Sequence, residues 1–254
     1  MALCRSGSYL ARVASDPSAS QKRAAALAAV AEVEHGMVVG LGTGSTAAFA
    51  IEALGRRVAE GLAIRAVPTS LATAAAAAAF GIHVIDLPAG GTIDLAIDGI
   101  DEIDTELRAI KGAGGALLRE KIVATAARRM LAIGDASKPV AALGGRPVPL
   151  EILPFARALV EREIAALGGV AVLRAGPGGP ALSDQNNLLL DCGFAALADL
   201  AGLATVLSAI PGVLGHGLFL TEIDALYVGT SDGGATRRER GGADANSCFP
   251  PAHP

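Results

Sequence analysis

The sequence predicts an α/β protein: a mostly parallel sheet with helices on both faces, plus a smaller α+β domain. Three observations predict it. Short apolar runs alternate with helical stretches over residues 21–133, as in successive strand–helix units. Glycine clusters stand immediately before two of the predicted helices. From Pro147 to about Gly217 prolines and short strands replace that alternation.

The run Gln-Lys-Arg-Ala-Ala-Ala-Leu-Ala-Ala-Val-Ala-Glu-Val from Gln21 is rich in helix formers, and Gly36 suits a left-handed cap behind it. Met37-Val38-Val39-Gly40-Leu41 is a short buried strand, and helical spacing resumes over 45–54. A strand at 64–67, an alanine-rich helix at 71–80 and strands at 83–87 and 93–97 follow. After Gly112, Gly114 and Gly115 a helix runs to about Met130, then the strand Leu131-Ala132-Ile133. Repeated in this order, the units make a Rossmann-like sheet. Pro147, Pro149 and Pro154 lead into a helix at 155–167, strands near 170–173 and 188–191, and a helix at 197–209. The chain then returns to the first sheet through Leu218-Phe219 and Leu226-Tyr227-Val228. The expected division is a disordered extension at 1–20, a catalytic α/β domain at 21–146 with 217–230, a small α+β domain at 147–216 and a disordered tail at 231–254. An organelle transit peptide is the alternative for the extension, which holds Arg5, Arg12 and several serines.

Composition narrows the function. The chain has 254 residues, 52% of them hydrophobic, yet no run approaches the roughly 18 uncharged apolar residues of a membrane-spanning helix. A net charge of −4 without basic stripes argues against nucleic acid. Cys4, Cys192 and Cys248 form neither a disulfide framework nor a metal knuckle, so a soluble protein of the reducing cytoplasm is expected.

Four motifs could carry chemistry. Gly40-Leu41-Gly42-Thr43-Gly44-Ser45-Thr46 joins a strand to a helix, where backbone N–H groups, the helix N-terminus and the hydroxyls of Thr43, Ser45 and Thr46 suit a phosphate. It has no Walker lysine, and its glycine spacing and the acid-free strand Ile64-Arg65-Ala66-Val67 disfavour a dinucleotide. Asp98-Gly99-Ile100-Asp101-Glu102 follows an apolar strand, so Asp98 and Asp101 reach the ligand crevice and can hold sugar hydroxyls; an Asp-Gly turn with an Asp N-cap is the alternative. In Lys111-Gly112-Ala113-Gly114-Gly115-Ala116-Leu117-Leu118-Arg119-Glu120-Lys121, the lysine can neutralise developing negative charge. Glu120, against an apolar helix face, can be tuned toward a general base, or can be a surface glutamate paired with a neighbour. Asp135-Ala136-Ser137-Lys138-Pro139 lies at another strand's carboxyl end, where Lys138 read alone is a surface lysine.

Taken in this order, the motifs resemble the type A ribose-5-phosphate isomerase family from about Gln21 to Ser231, with Pro147-Val-Pro-Leu-Glu-Ile-Leu-Pro-Phe155 and Ile210-Pro-Gly-Val213 as further landmarks. The resemblance implies interconversion of ribose 5-phosphate and ribulose 5-phosphate through an enediolate, in the non-oxidative pentose phosphate pathway, with no metal or organic cofactor. It also implies a homodimer or homotetramer. Carried over, Glu120 matches the general base, while Asp98, Asp101 and Lys111 match groups that hold hydroxyls, assist ring opening and stabilise the enediolate. Thr43, Gly44, Ser45, Thr46, Gly112, Ala113 and Gly114 match substrate contacts, completed by Lys22 and Lys138. The sequence departs from the family pattern at Ile100, where added bulk could narrow the pocket, and at Ala113, costly if that residue needs φ > 0. It departs again at Gln185-Asn186-Asn187, where asparagine suits a left-handed turn. Two rivals are a sugar-phosphate deaminase, disfavoured because His35, His83, His216 and His253 fall outside the motifs, and a sugar-phosphate sensor, disfavoured because Lys111 and Glu120 are retained.

Overall fold

The computed structural model describes residues 18–242. The first half runs α1 (Ala19–Val30), β1 (Val38–Leu41), α2 (Ser45–Ala59), β2 (Arg65–Pro68), α3 (Leu71–Ala79), β3 (His83–Val84) and β4 (Leu95–Gly99). It continues with β5 (Glu102–Ile103), β6 (Ala109–Ile110), α4 (Leu117–Ala126) and β7 (Met130–Asp135). Then come β8 (Val148–Ile152), α5 (Arg157–Ala166), β9 (Gly169–Leu173), the short pair β10 (Ala175–Gly176) and β11 (Gly179–Pro180), β12 (Leu188–Phe194) and α6 (Leu200–Ala209). The described chain closes with β13 (Val213–His216), β14 (Leu218–Phe219), β15 (Ala225–Gly229) and β16 (Ala235–Glu239).

Seven strands form the main sheet in the order β16-β15-β7-β4-β1-β2-β3, parallel throughout except for β16. Its central strands are apolar on both faces because both are covered. Leu95 and Ile97 of β4, with Leu131 and Ile133 of β7, join a cluster with α1 and α2, while the intervening Ala96 and Ala132 join a cluster with Val123 and Ala124 of α4. Gly40 makes that second layer possible, since a Cβ there would stand 2.4 Å from Val123 Cγ1. The neighbours β1, β4 and β7 deliver the segments 42–46, 98–101 and 135–138 to the carboxyl end of the sheet.

A second sheet, β13-β8-β12-β9, is antiparallel and packs against α5 and α6 around Leu150, Ile152, Val160, Ile164, Leu190 and Leu207. Strands β14-β6-β5 form a third, three-stranded sheet.

Several expectations are corrected. The tail does not begin loose at 231: Ala235–Glu239 pairs antiparallel with β15, and Arg240 donates to the carbonyls of Ile223, Glu106 and Leu107. An edge strand held by its backbone ladder and by arginines needs no apolar periodicity, so none announces it. At the other end, Ala19 and Ser20 already belong to α1, and residues 1–17 and 243–254 lie outside the described residues. The strand expected at 83–87 is two residues long, and the helix expected to reach Met130 stops at Ala126, where the chain turns into β7. The prolines read as a lead-in to a helix instead include a strand, β8, with Pro149 inside it. That proline is tolerated because its carbonyl, not an N–H, makes the link it supplies, accepting from Gly217 N at 2.8 Å.

Candidate active site

Helix α2 begins at Gly44, whose φ of 116° is open to glycine and strained for other residues. The N–H groups of its first turn lack intrahelical acceptors and, with the partial positive end of the helix, make an anion seat. Lys22, buried on α1, donates to Ser45 Oγ at 3.1 Å and lies 4.0 Å from Asp135 Oδ2. Asp135 is pushed up by burial, but hydrogen bonds from Ser137 and the charges of Lys138 and Lys22 outweigh this and hold it below the usual carboxylate range. The seat is therefore flanked by two lysines, with an ionised aspartate behind Lys22.

Thr43 is tied back rather than forward. Its hydroxyl lies 2.8 Å from Thr69 Oγ1, 2.8 Å from Ser70 Oγ and 3.1 Å from Thr73 Oγ1, and its N–H donates to Asp98 Oδ1 at 3.2 Å. Thr69, Ser70 and Thr73 were not among the expected residues. The available signal was their place after β2, at the same end of the sheet as the other loops.

Asp98, Lys111 and Glu120 form a buried triad, each 2–3% exposed. Lys111 Nζ lies 2.9 Å from Asp98 Oδ2 and 3.3 Å from Glu120 Oε2, also donates to Gly99 O, and stands 5.3 Å from the centre of the buried Phe219 ring. Gly42 admits Asp98 to this position, because a Cβ there would lie 1.8 Å from Asp98 Oδ1. Burial would lower the Lys111 pKa, but the facing carboxylates Asp98 and Glu120 outweigh it, so Lys111 stays a cation. Burial and then the charge of Asp98 push Glu120 up to about 8, against the opposing pull of Lys111. Burial also raises Asp98. Two acids and one base in a water-poor space carry one excess negative charge, which a proton relieves. Glu120 Oε2 is buried and accepts no well-directed hydrogen bond among the described residues, so its ion pair with Lys111 is what offsets its burial.

The turn after Lys111 uses Gly112 at φ 111° and Gly115 at φ 81°. Ala113 is not among the positive-φ residues, so the strain that would follow from a left-handed alanine does not arise. Its N–H donates to Asp101 Oδ2 at 2.9 Å. Ile100 lines the cleft and packs with its other neighbours in the α4-side core. Asn186 does take the left-handed conformation, φ 60°.

Lys22, Thr43, Gly44, Ser45, Thr46, Asp101, Lys111, Gly112, Ala113, Gly114, Glu120 and Lys138 line one cleft of about 240 Å³. Asp98 stands behind its wall and acts on it through Lys111 and the Thr43 amide. Sequence reasoning also missed Phe219 and Arg174, whose guanidinium touches the lysine turn. Neither sits in a motif; contacts between distant segments alone bring them in. The cleft thus joins an anion seat to a buried acid–base pair. Among the described residues no group of three or more His, Cys, Asp or Glu is arranged to hold a metal.

The model of the ribose 5-phosphate isomerase A (phosphoriboisomerase A) family matches residues 65–233. Ribose-5-phosphate isomerase A of Sphingopyxis alaskensis is 46% identical over 213 residues, covering 84% of this chain and 93% of that protein. The Roseiflexus castenholzii protein of the same name is 48% identical over 216 residues, covering 84% and 92%. Among solved structures, ribose 5-phosphate isomerase A from Methanocaldococcus jannaschii superposes with a TM-score of 0.82 at 38% identity, covering 86% of this chain and 97% of that one. A D-ribose-5-phosphate isomerase in complex with phospho-erythronic acid gives 0.83 at 37% identity, with the same coverage.

Proposed function

The chain belongs to the ribose 5-phosphate isomerase A family, and we propose that Glu120 and Lys111 carry out its reaction on an open-chain pentose phosphate anchored at the start of α2. The enzyme interconverts ribose 5-phosphate and ribulose 5-phosphate. Ionised Glu120 removes the proton from C2 of the aldose; the C–H electron pair forms the C1–C2 double bond and the carbonyl π electrons pass to O1. The resulting enediolate develops its negative charge beside the Lys111 cation and the Gly114 end of the turn that follows it. Glu120 returns the proton to C1 while the O2 proton passes to O1, giving the ketose. Asp101, on the cleft wall, holds the hydroxyls and assists ring opening, while Asp98 acts from behind the wall by holding Lys111. Ser45, Thr46, Lys22 and Lys138 bind the phosphate and anchor the far end of the substrate, in ground state and transition state alike.

The observation that carries this reading is the buried Glu120 carboxylate, which lines the cleft with its Oε2 3.3 Å from the Lys111 ammonium. It is tested by running the reaction from ketose to aldose in deuterated water. Wild type should place solvent deuterium at C2 at least in part, and Glu120→Gln of unchanged thermal stability should nearly abolish it. Near-normal exchange in that variant would move the base to Asp101, the other acid that lines the cleft.

We read residues 21–146 with 217–230 as the catalytic domain, extended by β16, and 147–216 as a small domain attached to it. A homodimer or homotetramer fits the exposed apolar residues of the second sheet region, where Phe155 is fully exposed and Val170 and Val172 are 68% and 57% exposed. A cytoplasmic place fits a sugar-phosphate substrate; no helix among the described residues is long and apolar enough to cross a membrane.

A further inference from the structure

Arg174 follows β9 in the second sheet, far along the chain from every motif of the cleft. Its side chain is 16% exposed and committed on both sides. Nε donates to Asp191 Oδ2 at 3.0 Å and Nη2 to Asp191 Oδ1 at 2.5 Å, a fork-to-fork pair with β12. Nη1 donates to Gly112 O at 3.0 Å and Ala113 O at 3.1 Å. A guanidinium anchored by a carboxylate thus holds two successive carbonyls of the turn that begins at Lys111.

The consequence lies on the opposite side of those peptides. The peptide bonds are trans, so each carbonyl points away from the N–H of the next residue. Fixing Gly112 O orients the Ala113 N–H, which Asp101 receives at 2.9 Å. Fixing Ala113 O orients the Gly114 N–H, and Gly114 lines the cleft. A cation on a carbonyl oxygen also polarises its peptide and strengthens that N–H as a donor. Lysine would supply the charge without the planar fork that spans two carbonyls and two carboxylate oxygens.

We propose that Arg174 is a positioning residue for the isomerisation: from the second sheet it pins and polarises the 112–114 turn so that the Gly114 amide meets the oxyanion that develops on the substrate. Asp191 holds the guanidinium in register. The second sheet thereby contributes to transition-state stabilisation although none of its residues lines the cleft. This rests on the reading of Glu120 and Lys111 given above.

The test compares Arg174→Met, Arg174→Lys and Asp191→Asn with wild type and Glu120→Gln. It measures kcat, KM for ribose 5-phosphate, the Kd of 4-phospho-erythronate, whose carboxylate mimics the enediolate, and thermal stability. Arg174→Met should lower kcat roughly 10- to 100-fold, less than the roughly 100- to 1,000-fold that follows outright loss of an oxyanion donor, because the Gly114 N–H remains but is no longer pinned. KM should change less than about threefold, and 4-phospho-erythronate should weaken in step with kcat/KM. Added guanidinium ion at non-denaturing concentration should restore part of the rate in Arg174→Met and none in Glu120→Gln. Arg174→Lys and Asp191→Asn should fall between Arg174→Met and wild type, and they carry the test if Arg174→Met does not fold. Wild-type kcat in these variants, or a fall in kcat with unchanged analogue affinity, overturns the proposal. An active Glu120→Gln would instead overturn the underlying site reading, whatever the arginine variants do.

Discussion

The two ends of the cleft are built on opposite electrostatic plans. At the α2 end, ligand binding is left to hydroxyls, first-turn amides and two lysines at its rim, a set suited to a dianion that keeps its charge throughout the reaction. At the Glu120 end, two acids and a lysine are packed out of water with one negative charge in excess. The first arrangement grips ground state and transition state alike. The second is strained when Glu120 is ionised and is relieved as the proton leaves carbon. Affinity should therefore respond at one end and turnover at the other.

Glu120→Gln is the severest way to break this contrast. It should lower kcat by roughly two to four orders of magnitude, the range of a positioned acid–base group, with KM little changed. A comparable rise in KM would show that Glu120 binds rather than reacts. Ribose without its phosphate addresses the opposite end: kcat/KM should fall by roughly a thousandfold, since several hydrogen bonds to a charged group are lost at about 1.5–3 kcal/mol each before partial compensation by water. Similar kcat/KM for the two sugars would remove the phosphate from the α2 seat. Thr46→Val should act more mildly, raising KM about tenfold at most while leaving kcat near wild type.

The pH dependence sharpens the same contrast. Because Glu120 must be ionised to act and burial pushes it up to about 8, kcat/KM should rise as pH rises through about 8. Stability runs the other way. A carboxyl whose folded pKa lies above its unfolded value contributes stability fully below about 4.5 and loses it as pH rises through about 8. Glu120→Gln lacks that loss, so denaturant unfolding should show the variant gaining on wild type between pH 5 and 9. A constant difference would mean that the Glu120 environment is not the source. The smallest effect expected is none: since Lys111 supplies the cation at the reacting centre, exhaustive chelation with EDTA should leave turnover unchanged, and restoration of lost activity by a divalent ion would refute this.

The regions also differ in how far they could be read from sequence. The central strands were legible because burial on both faces writes an uninterrupted apolar run, and the seat at α2 because a glycine with positive φ before a helix leaves a local signature. Glu120 was legible as a candidate, but its buried partner Lys111 stands over Phe219 and pairs with Asp98 nested against Gly42, contacts with no local trace. Strand β16 was missed because arginines and a backbone ladder hold it, and β8 because a proline inside a strand reads as a break. The hydroxyl group of Thr69, Ser70 and Thr73 was overlooked because each residue alone is an ordinary turn or cap residue.

Gly217 gives one last consequence. Its N–H donates to Pro149 O and its carbonyl accepts from Lys111 N at 2.9 Å, while a Cβ there would lie 2.2 Å from Lys111 O and 2.5 Å from Pro149 Cδ. The excursion from 147 to 216 thus leaves and rejoins the main body at a single stitch, tied to the backbone of the lysine in the reacting centre. A longer hairpin between β10 and β11, at the far side of that excursion, should therefore leave the lysine where the stitch holds it.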